Sequence, residues 1–349
     1  MGVLDGRIDF VLGIDTHRDS YTAAALDAGG GTRHIATVAS DAFGHRKLLA
    51  FADEHAKGRR VWAVEGVGSY GAGLTVFLLE HGEQVAEVDR PKRPLRRNGA
   101  KSDELDAVRA AREALACDHL AQPRRRGRRE AIRVLLAARE GAVRARTQAI
   151  AQLKALIVSA PQGLRDQLRG GTTDEQVSRA ARLRTGPAQS QEHRATICAL
   201  RATARRVLTL AAEADDHESQ LELLVREHAP QLLAQPGIGT ISAAQILCAW
   251  SHRGRIRSEA AFASLAGVSP IPASSGTIVR YRVNRGGDRQ LNRALHTIVL
   301  SRLSHDAETR AYAQRRSAEG KTAREIKRCL KRHLARSIFR LLESMPEAT

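Results

Sequence analysis

Aromatic residues are scarce in this 349-residue sequence, and their scarcity limits how the chain can recognise a partner. Phenylalanine, tryptophan and tyrosine together make up 3% of the residues. A protein that holds single strands of nucleic acid mainly by stacking bases on rings needs more of them. The composition therefore disfavours that class of protein and favours contacts to a charged backbone.

Closely spaced cysteines and long apolar runs are also missing. The four cysteines, Cys117, Cys198, Cys248 and Cys329, lie far apart, which excludes a C-x-x-C zinc motif and is typical of thiols in a reducing compartment. The longest apolar runs are too short to span a membrane, and Met1 is not followed by an apolar signal segment. We therefore expect a cytoplasmic protein with no membrane partner.

Positive charge is what the chain has in excess. Lysine and arginine number 56 against 38 aspartates and glutamates, which gives a net charge of +18. Of the 56 basic residues 48 are arginine, whose planar guanidinium matches phosphate oxygens bidentately. Apolar residues make up 42% of the chain, enough for folded domains. We expect two or three domains that bind a polyanion, either nucleic acid or an acidic membrane, and nucleic acid is the first interpretation.

The first 120 residues predict an α/β domain with a mixed sheet. Apolar runs at 8–15, 21–27 and 32–38 are joined by tight turns, so these strands should be antiparallel. Further runs at 60–65 and 84–89 alternate with helical segments, and such crossovers add parallel strands. In this topology the first and fourth strands are neighbours at the centre of the sheet.

Four carboxylates fall at the ends of these elements. Asp15 ends the first strand, Glu65 ends the fourth, and Asp103 and Asp106 begin a helix three residues apart. Clustered carboxylates repel one another unless cations neutralise them, and hard oxygen ligands select Mg²⁺ or Mn²⁺. Two such ions can stabilise the attacking and leaving oxygens of a phosphodiester. The alternative is structural, with Asp103 and Asp106 stabilising the helix N-terminus.

Two long helical patterns follow, with a segment rich in glycine and proline between them. Residues 130–160 and 193–228 carry apolar faces, and the second alternates steps of three and four. Residues 161–192 are predicted to be a loop or hinge. The pattern predicts either a helical coiled-coil arm that can pair protomers or an intrachain helical bundle.

The last third contains a glycine turn and a row of arginines. Gly237 and Gly239 lie in a P-G-I-G segment between two helical stretches, which is typical of a helix-hairpin-helix that lets its backbone approach a phosphate, or simply of a tight turn. A helix over 321–342 places arginines at every fourth position, opposite a row of apolar residues. This arginine row, which we expect to bind nucleic acid, consists of Arg324, Arg328, Arg332, Arg336 and Arg340.

Seven short blocks resemble those of a known family. They are 13–17 (GIDTH), 64–70 (VEGVGSY), 101–107 (KSDELDA), 236–239 (PGIG), 262–270 (FASLAGVSP), 274–276 (SSG) and 285–288 (RGGD). The first three resemble the D-E-D-D signature of RuvC-like nuclease domains with the ribonuclease H fold. Taken in order along nearly the whole chain, the seven blocks resemble the transposases of the IS110 family of insertion sequences.

The resemblance implies a domain plan and a set of site residues. The plan is a RuvC-like domain over 1–122, a helical coiled-coil region over 123–228 and a mostly helical transposase domain over 229–349. The metal-binding acids of the family map onto Asp15, Glu65, Asp103 and Asp106, with Mg²⁺ or Mn²⁺ as the cofactor. Its nucleophilic serine maps onto Ser275, which only the alignment to Gly276 separates from Ser274.

The resemblance also implies a reaction and partners. The serine hydroxyl attacks a DNA phosphodiester to give a covalent phosphoserine, and the strand is then exchanged. A structured guide RNA pairs with donor and target DNA. The active site is composite, with acids and serine contributed by different protomers of a homo-oligomer, a dimer or a tetramer.

The residues around Ser275 leave other functions open. No base neighbours this serine in the sequence, so its activation has to come from groups elsewhere in the fold. Nearby arginines that can hold phosphates are Arg280, Arg282, Arg285 and Arg289. By itself the segment also fits a polar turn. The alternatives are a RuvC-like junction endonuclease that uses water, and a non-catalytic nucleic-acid-binding protein with structural acids.

Overall fold

The chain divides into two units, Met1–Arg125 and Arg126–Thr349. The structure is a computed structural model. It describes residues 8–88, 102–117, 120–187, 189–273, 281–284 and 286–345. Within these ranges no helix is both long and apolar enough to cross a membrane. The three-domain plan stays a prediction.

The first unit is built on a five-stranded mixed sheet. Its elements are β1 (Phe10–Thr16), β2 (Ser20–Asp27), β3 (Thr32–Ala39), α1 (Ala42–His55), β4 (Arg60–Glu65), α2 (Ala72–Glu80), β5 (Gln84–Val88) and α3 (Asp103–Ala116). The strand order is β3-β2-β1-β4-β5, with β1, β2 and β3 antiparallel and β1, β4 and β5 parallel. The predicted mixed sheet, with the first and fourth strands adjacent at its centre, is confirmed.

Helices cover both faces of this sheet because its central strands are apolar on both sides. Leu12 and Val64 pack with residues of α1 and α2. Val11 and Ala63 pack with α3 on the opposite face. Gly13 allows the closest approach, since a Cβ there would lie 2.0 Å from the carbonyl oxygen of Ala107 in α3. Odd-numbered residues of β1 therefore face α3.

The described part of the second unit is mostly helical. Its elements are α4 (Arg128–Ser159), α5 (Gln162–Leu168), α6 (Thr173–Ala181), α7 (Gln191–His228), α8 (Pro230–Leu233), α9 (Thr240–Trp250), α10 (Glu259–Leu265), β6 (Pro270–Pro272), β7 (Tyr281–Val283), α11 (Arg289–His305), α12 (Ala307–Ala318) and α13 (Ala323–Ser344). The last five helices and the β6–β7 pair follow the predicted glycine turn.

Helices α4 and α7 pair within one chain as an antiparallel hairpin. Arg139 lies 2.7 Å from Glu218, and Arg128 lies 3.2 Å from Glu227, which fixes the antiparallel direction. The prediction of a loop over 161–192 is wrong in part, because α5 and α6 form there. Their apolar residues pack on the hairpin and stabilise these short helices; they are Leu164, Leu168, Val177 and Ala180. Pairing between protomers stays a prediction.

The other end of the hairpin shares a hydrophobic core with the C-terminal helices. Ile132 of α4 and Val225 of α7 belong to the same buried cluster as residues of α9, α11 and α13. Leu295 and Ile338 are among the latter. This core holds α11 and α13 side by side.

Candidate functional site

The fold brings the predicted acids to one edge of the central sheet. Ile14 of β1 is paired with Val64 of β4, so the next residues, Asp15 and Glu65, lie at the carboxyl ends of neighbouring parallel strands. Both follow the alternation that places Val11 and Ala63 against α3. The helix α3 begins at Asp103, where the Ser102 hydroxyl caps it by accepting from the amide of Leu105 at 3.2 Å.

Asp15 and Asp103 meet around His17. The His17 Nε2 atom lies 3.1 Å from Asp15 Oδ2 and 3.2 Å from Asp103 Oδ1. Only the contact with Asp103 has hydrogen-bond geometry. The three residues offer ligand atoms that all lie within 4.8 Å of one another. The sequence prediction gave His17 no role, although its position two residues after Asp15 places it on the same side of an extended chain.

Asp15 is the electrostatic centre of this group. Its side chain is buried, and its Oδ2 atom has no hydrogen-bond partner among the described residues. Burial raises the pKa of Asp15, the charges of Asp103 and Asp106 raise it further, and His17 opposes the shift. A buried acceptor without a hydrogen bond beside further carboxylates fits a bound cation, which would satisfy the acceptor and neutralise the repulsion.

Glu65 and Asp106 stand at the margin of this group. Asp106 accepts a hydrogen bond from Arg109 Nη1 at 2.6 Å, and the backbone carbonyl of Glu65 accepts from the Thr16 hydroxyl at 3.0 Å. Among the described residues, the close ligand atoms belong to Asp15, His17 and Asp103 and to neither of these two acids. Their assignment as metal ligands stays a prediction.

The glycine turn of the second unit packs against α11. Gly237 has φ +73°, and a Cβ there would lie 3.2 Å from the carbonyl oxygen of Ile298. Arg302 of α11 donates to the carbonyl of Pro236 at 2.8 Å. Gly239 precedes α9 and has open space around its Cβ position. Packing therefore explains Gly237, whereas Gly239 leaves the N-terminus of α9 accessible.

The predicted serine lies on the connection between β6 and β7. Pro272 is paired with Tyr281 in an antiparallel hairpin, and the chain between them contains Ser275. Ser275 itself lies outside the described residues, as do Ser274, Arg280 and Arg285. Of the other arginines predicted near it, Arg282 is exposed on β7 and Arg289 is exposed at the start of α11.

The amphipathic pattern of α13 is confirmed. All five members of the arginine row are exposed, and the opposite row is buried except for the half-buried Leu330. Arg336, however, donates from Nε to the Glu259 carboxylate at 3.0 Å, and Arg340 Nε lies 3.7 Å from the same group. Glu259 belongs to α10, so a pattern within α13 alone does not show this neutralisation.

A basic groove brings together two predicted sets of arginines. This cavity of about 820 Å³ lies among the loop after α10, β7, α11 and α13. Its lining includes Arg282 and Arg289 from the serine hairpin side and Arg328 and Arg332 from the arginine row. Residues predicted separately from distant parts of the sequence thus line one cavity.

Two family models match the chain. One, described as "Transposase", represents the DEDD domain of IS110-type elements and matches residues 12–160. The other, described as "Transposase IS116/IS110/IS902 family", matches residues 229–314. Together they cover more than half of the sequence. The chain belongs to the IS110 family of transposases.

Two curated relatives come from the same kind of element. The "Insertion element IS110 uncharacterized 43.6 kDa protein" of Streptomyces coelicolor is 33% identical over 128 residues, which are 36% of this chain and 32% of the relative. The "Insertion element IS900 uncharacterized 42 kDa protein" of Mycobacterium paratuberculosis is 33% identical over 122 residues, 34% and 31% of the two chains. The aligned part of this chain therefore spans about a third of the length of each relative.

The IS110 family models cover the site residues unevenly. The DEDD match includes all four predicted acids, and the second match includes Ser275 and the β6–β7 hairpin. The arginine row on α13 follows both matches. A DEDD transposase domain implies dependence on a divalent metal, and the group of Asp15, His17 and Asp103 is an arrangement that fits one.

Proposed function

We propose that this IS110-family chain is a DNA transposase that uses Ser275 as its nucleophile and the acids of the first unit as its metal site. The observation that carries the proposal is the buried Asp15 carboxylate, which has an oxygen without a hydrogen bond and a second carboxylate, Asp103, beside the same imidazole. A cation held between these carboxylates would satisfy that acceptor and offset the repulsion between them.

In the proposed reaction one phosphodiester is exchanged for another. The Ser275 oxygen forms a bond to phosphorus, the bond from phosphorus to a deoxyribose oxygen breaks, and the serine proton ends on that leaving oxygen. A free DNA hydroxyl then attacks the phosphoserine and returns the proton to Ser275. Since each step replaces one phosphate ester with another, the sequence needs no oxidant, reductant or external energy source.

The residues of this chain have distinct tasks in that scheme. Asp15 and Asp103 would hold a divalent cation, with Glu65 and Asp106 completing the ligand set, and His17 orients the two carboxylates it contacts. Mg²⁺ or Mn²⁺, when bound, supplies positive charge that favours the serine alkoxide and the crowded phosphate. Arg282 and Arg289 would bind the phosphates next to the one attacked.

The proposed partners are donor and target DNA, a structured guide RNA and further copies of the chain. Base pairing with the RNA would select the sequence, so the protein needs only backbone contacts. A chain with 48 arginines and few aromatic residues is suited to such contacts.

The decisive experiment looks for DNA bound covalently to the protein. Full-length chain, element-end DNA and the transcribed flanking RNA are mixed with Mg²⁺, and adducts are resolved under denaturing conditions and mapped by mass spectrometry. We expect an adduct on Ser275, its loss in Ser275→Ala and in Asp15→Ala, and its retention in the neighbouring control Ser274→Ala. An adduct on Ser274, or one that persists in Ser275→Ala, would refute the assignment.

Other outcomes point to the alternative functions. Cleavage that needs Asp15 but is unchanged in Ser275→Ala indicates water as the nucleophile and a junction endonuclease. Full activity in cells of a chain carrying both Asp15→Ala and Glu65→Ala indicates acids without a catalytic role. Either result overturns the proposed mechanism.

A further inference from the structure

The basic groove of the second unit carries positive charge that its own structure does not neutralise. Seven lysines and arginines line it, and they are Arg282, Arg289, Arg293, Lys321, Arg328, Lys331 and Arg332. Arg293 is paired with Glu140 at 3.2 Å. None of the other six forms an ion pair with a carboxylate in the described ranges.

The carboxylate that lines the groove is already engaged. Glu325 accepts hydrogen bonds from the amide and the hydroxyl of Thr322, both at 2.8 Å, in the capping box that begins α13. Outside the groove, Arg336 of the same helix is neutralised by Glu259, which belongs to α10. The fold therefore supplies a counter-charge to Arg336 at one end of the arginine row. Inside the cavity, Glu325 faces the charges of Lys321 and Arg328, and the lining cations outnumber it.

Lys331 is the most informative residue of the groove. It lies between the exposed Arg328 and Arg332 in sequence but is half-buried, and its ammonium donates to Asn292 Oδ1 at 3.0 Å. Asn292 is itself held by donating to the carbonyl of Ala266 at 2.7 Å. Burial and the charge of Arg328 lower the pKa of Lys331. The Lys331 ammonium is thus held in one orientation, is partly removed from water and lies near other positive charges. This arrangement costs free energy unless an anion binds beside it.

A polyanion fits this charge better than a small anion. Six cations that form no ion pair with a carboxylate of the described residues reach the groove from β7, α11, the segment before α13 and the first turns of α13. One phosphate group would neutralise only part of that charge, whereas successive phosphodiesters of a strand each bring one negative charge. One lining residue of the groove, Arg282, also lies only seven residues after Ser275 in the sequence.

We propose that the basic groove binds the backbone of the DNA strand that Ser275 attacks, with Lys331 as the inner phosphate ligand and Arg328 and Arg332 as the outer ones. The choice of DNA rests on the proposed function, because the groove adjoins the hairpin that carries the nucleophile. The groove thus provides a sequence-independent phosphate clamp next to the reacting bond.

The test measures binding and requires no catalysis. Full-length Ser275→Ala chain, without divalent metal, is titrated with a short duplex DNA over a series of salt concentrations. Adding Arg328→Gln and Arg332→Gln should lower the affinity at least about tenfold at low salt and reduce the slope of log affinity against log salt by about 2. The matched control removes two exposed charges from α7 through Arg205→Gln and Arg206→Gln, and we expect its slope to stay unchanged.

Lys331→Met separates a binding role from a structural one. The variant removes both the charge of Lys331 and its hydrogen bond to Asn292 Oδ1. We expect it to stay folded at the assay temperature, which circular dichroism checks, while it binds DNA more weakly. Equal losses in the groove and α7 variants overturn the proposal, as does a loss confined to an RNA hairpin. The binding assay does not depend on adduct formation. If Ser275 proves not to be the nucleophile, the measured DNA affinities are unaffected. If the groove variants bind DNA as well as the parent chain does, the assignment of Ser275 still stands.

Discussion

Gly13 sets how closely α3 approaches the strand that carries Asp15. A Cβ at this position would lie 2.0 Å from the Ala107 carbonyl and 2.6 Å from the Ala111 amide, and both are backbone atoms of the helix. Gly13→Ala must therefore push α3 outward and move Asp103 away from Asp15. We expect a loss of about 1–3 kcal/mol in unfolding free energy and a weaker affinity for Mn²⁺. Denaturant unfolding and Mn²⁺ titration followed by electron paramagnetic resonance check both effects.

The matched control for this variant is Gly68→Ala in the loop after β4. Apart from its chain neighbours, no described residue has a heavy atom within 4 Å of its Cβ position, so stability and Mn²⁺ affinity should both stay at the parent values. Unchanged Mn²⁺ affinity in Gly13→Ala would show that the cation does not depend on the spacing of β1 and α3, which contradicts the site described above.

At the residue scale the sequence predicted the acids but not their environment. The ends of strands located Asp15 and Glu65, because an apolar run that stops at a carboxylate is visible in one dimension. The contact of His17 with Asp103 spans 86 positions, and the pairing of Asp106 with Arg109 competes with a ligand role. Such contacts depend on side-chain geometry, which spacing alone does not determine.

At the scale of elements, a charged network ties the edge of the sheet to α1. Arg60 of β4 donates to Glu83 at 2.9 Å and to Asp53 of α1 at 2.7 Å, and Trp62 Nε1 donates to Glu83 at 2.7 Å. Burial alone would raise the pKa of Glu83, but the hydrogen bonds from Arg60 and Trp62 outweigh it and lower the pKa. The ionised carboxylate therefore holds the turn before β5 against β4.

The network makes the stability of the first unit depend on pH. With a folded pKa below the ordinary value of 4.5, Glu83 contributes its full stabilisation above that value and loses it as the pH falls through the folded pKa. Glu83→Gln should cost about 1–3 kcal/mol at neutral pH and flatten this acid dependence. Urea unfolding followed by Trp62 fluorescence in a Trp250→Phe background measures it. The exposed control Glu80→Gln should change neither quantity, and an unaltered acid profile in Glu83→Gln would contradict the assignment.

Elements with a strong period were predictable, and those stabilised by tertiary contacts were not. The four-residue spacing of α13 predicted its buried and exposed faces correctly. The helices α5 and α6 were missed because glycines and proline surround them and their stability comes from packing Leu168 and Val177 on the hairpin. The neutralisation of Arg336 by Glu259 likewise joins two helices that are distant in sequence.

At the scale of the whole molecule, the motif blocks of the second half have a shared structural cause. Gly267 has φ +67°. A Cβ at Gly287 would lie 2.4 Å from the amide nitrogen of Gly267. Asp288 then caps α11 and donates its own amide to the Leu265 carbonyl at 2.6 Å. The F-A-S-L-A-G and R-G-G-D blocks thus pack directly on one another and shape the groove, a relation that the sequence presents only as two separate motifs.

The proposed division of labour between the two units predicts complementation between inactive chains. A chain with Asp15→Ala keeps Ser275, and a chain with Ser275→Ala keeps the acids. If each active site takes acids from one protomer and serine from another, mixing the two chains in equal amounts should restore about a quarter of the sites of a two-fold dimer. If each site forms within one chain, every site in the mixture lacks one component and no adduct forms.

The identity of the chain that carries the DNA distinguishes these arrangements. When the two chains differ in size, the DNA should appear only on the Asp15→Ala chain, because that chain alone carries the reactive hydroxyl. A parallel mixture of tagged and untagged wild-type chains, in which the untagged chain is recovered together with the tagged one, shows that the protomers exchange and assemble. Failure of the first mixture together with success of the second would place acids and serine in the same protomer, and would require the two units of one chain to share a scissile phosphate.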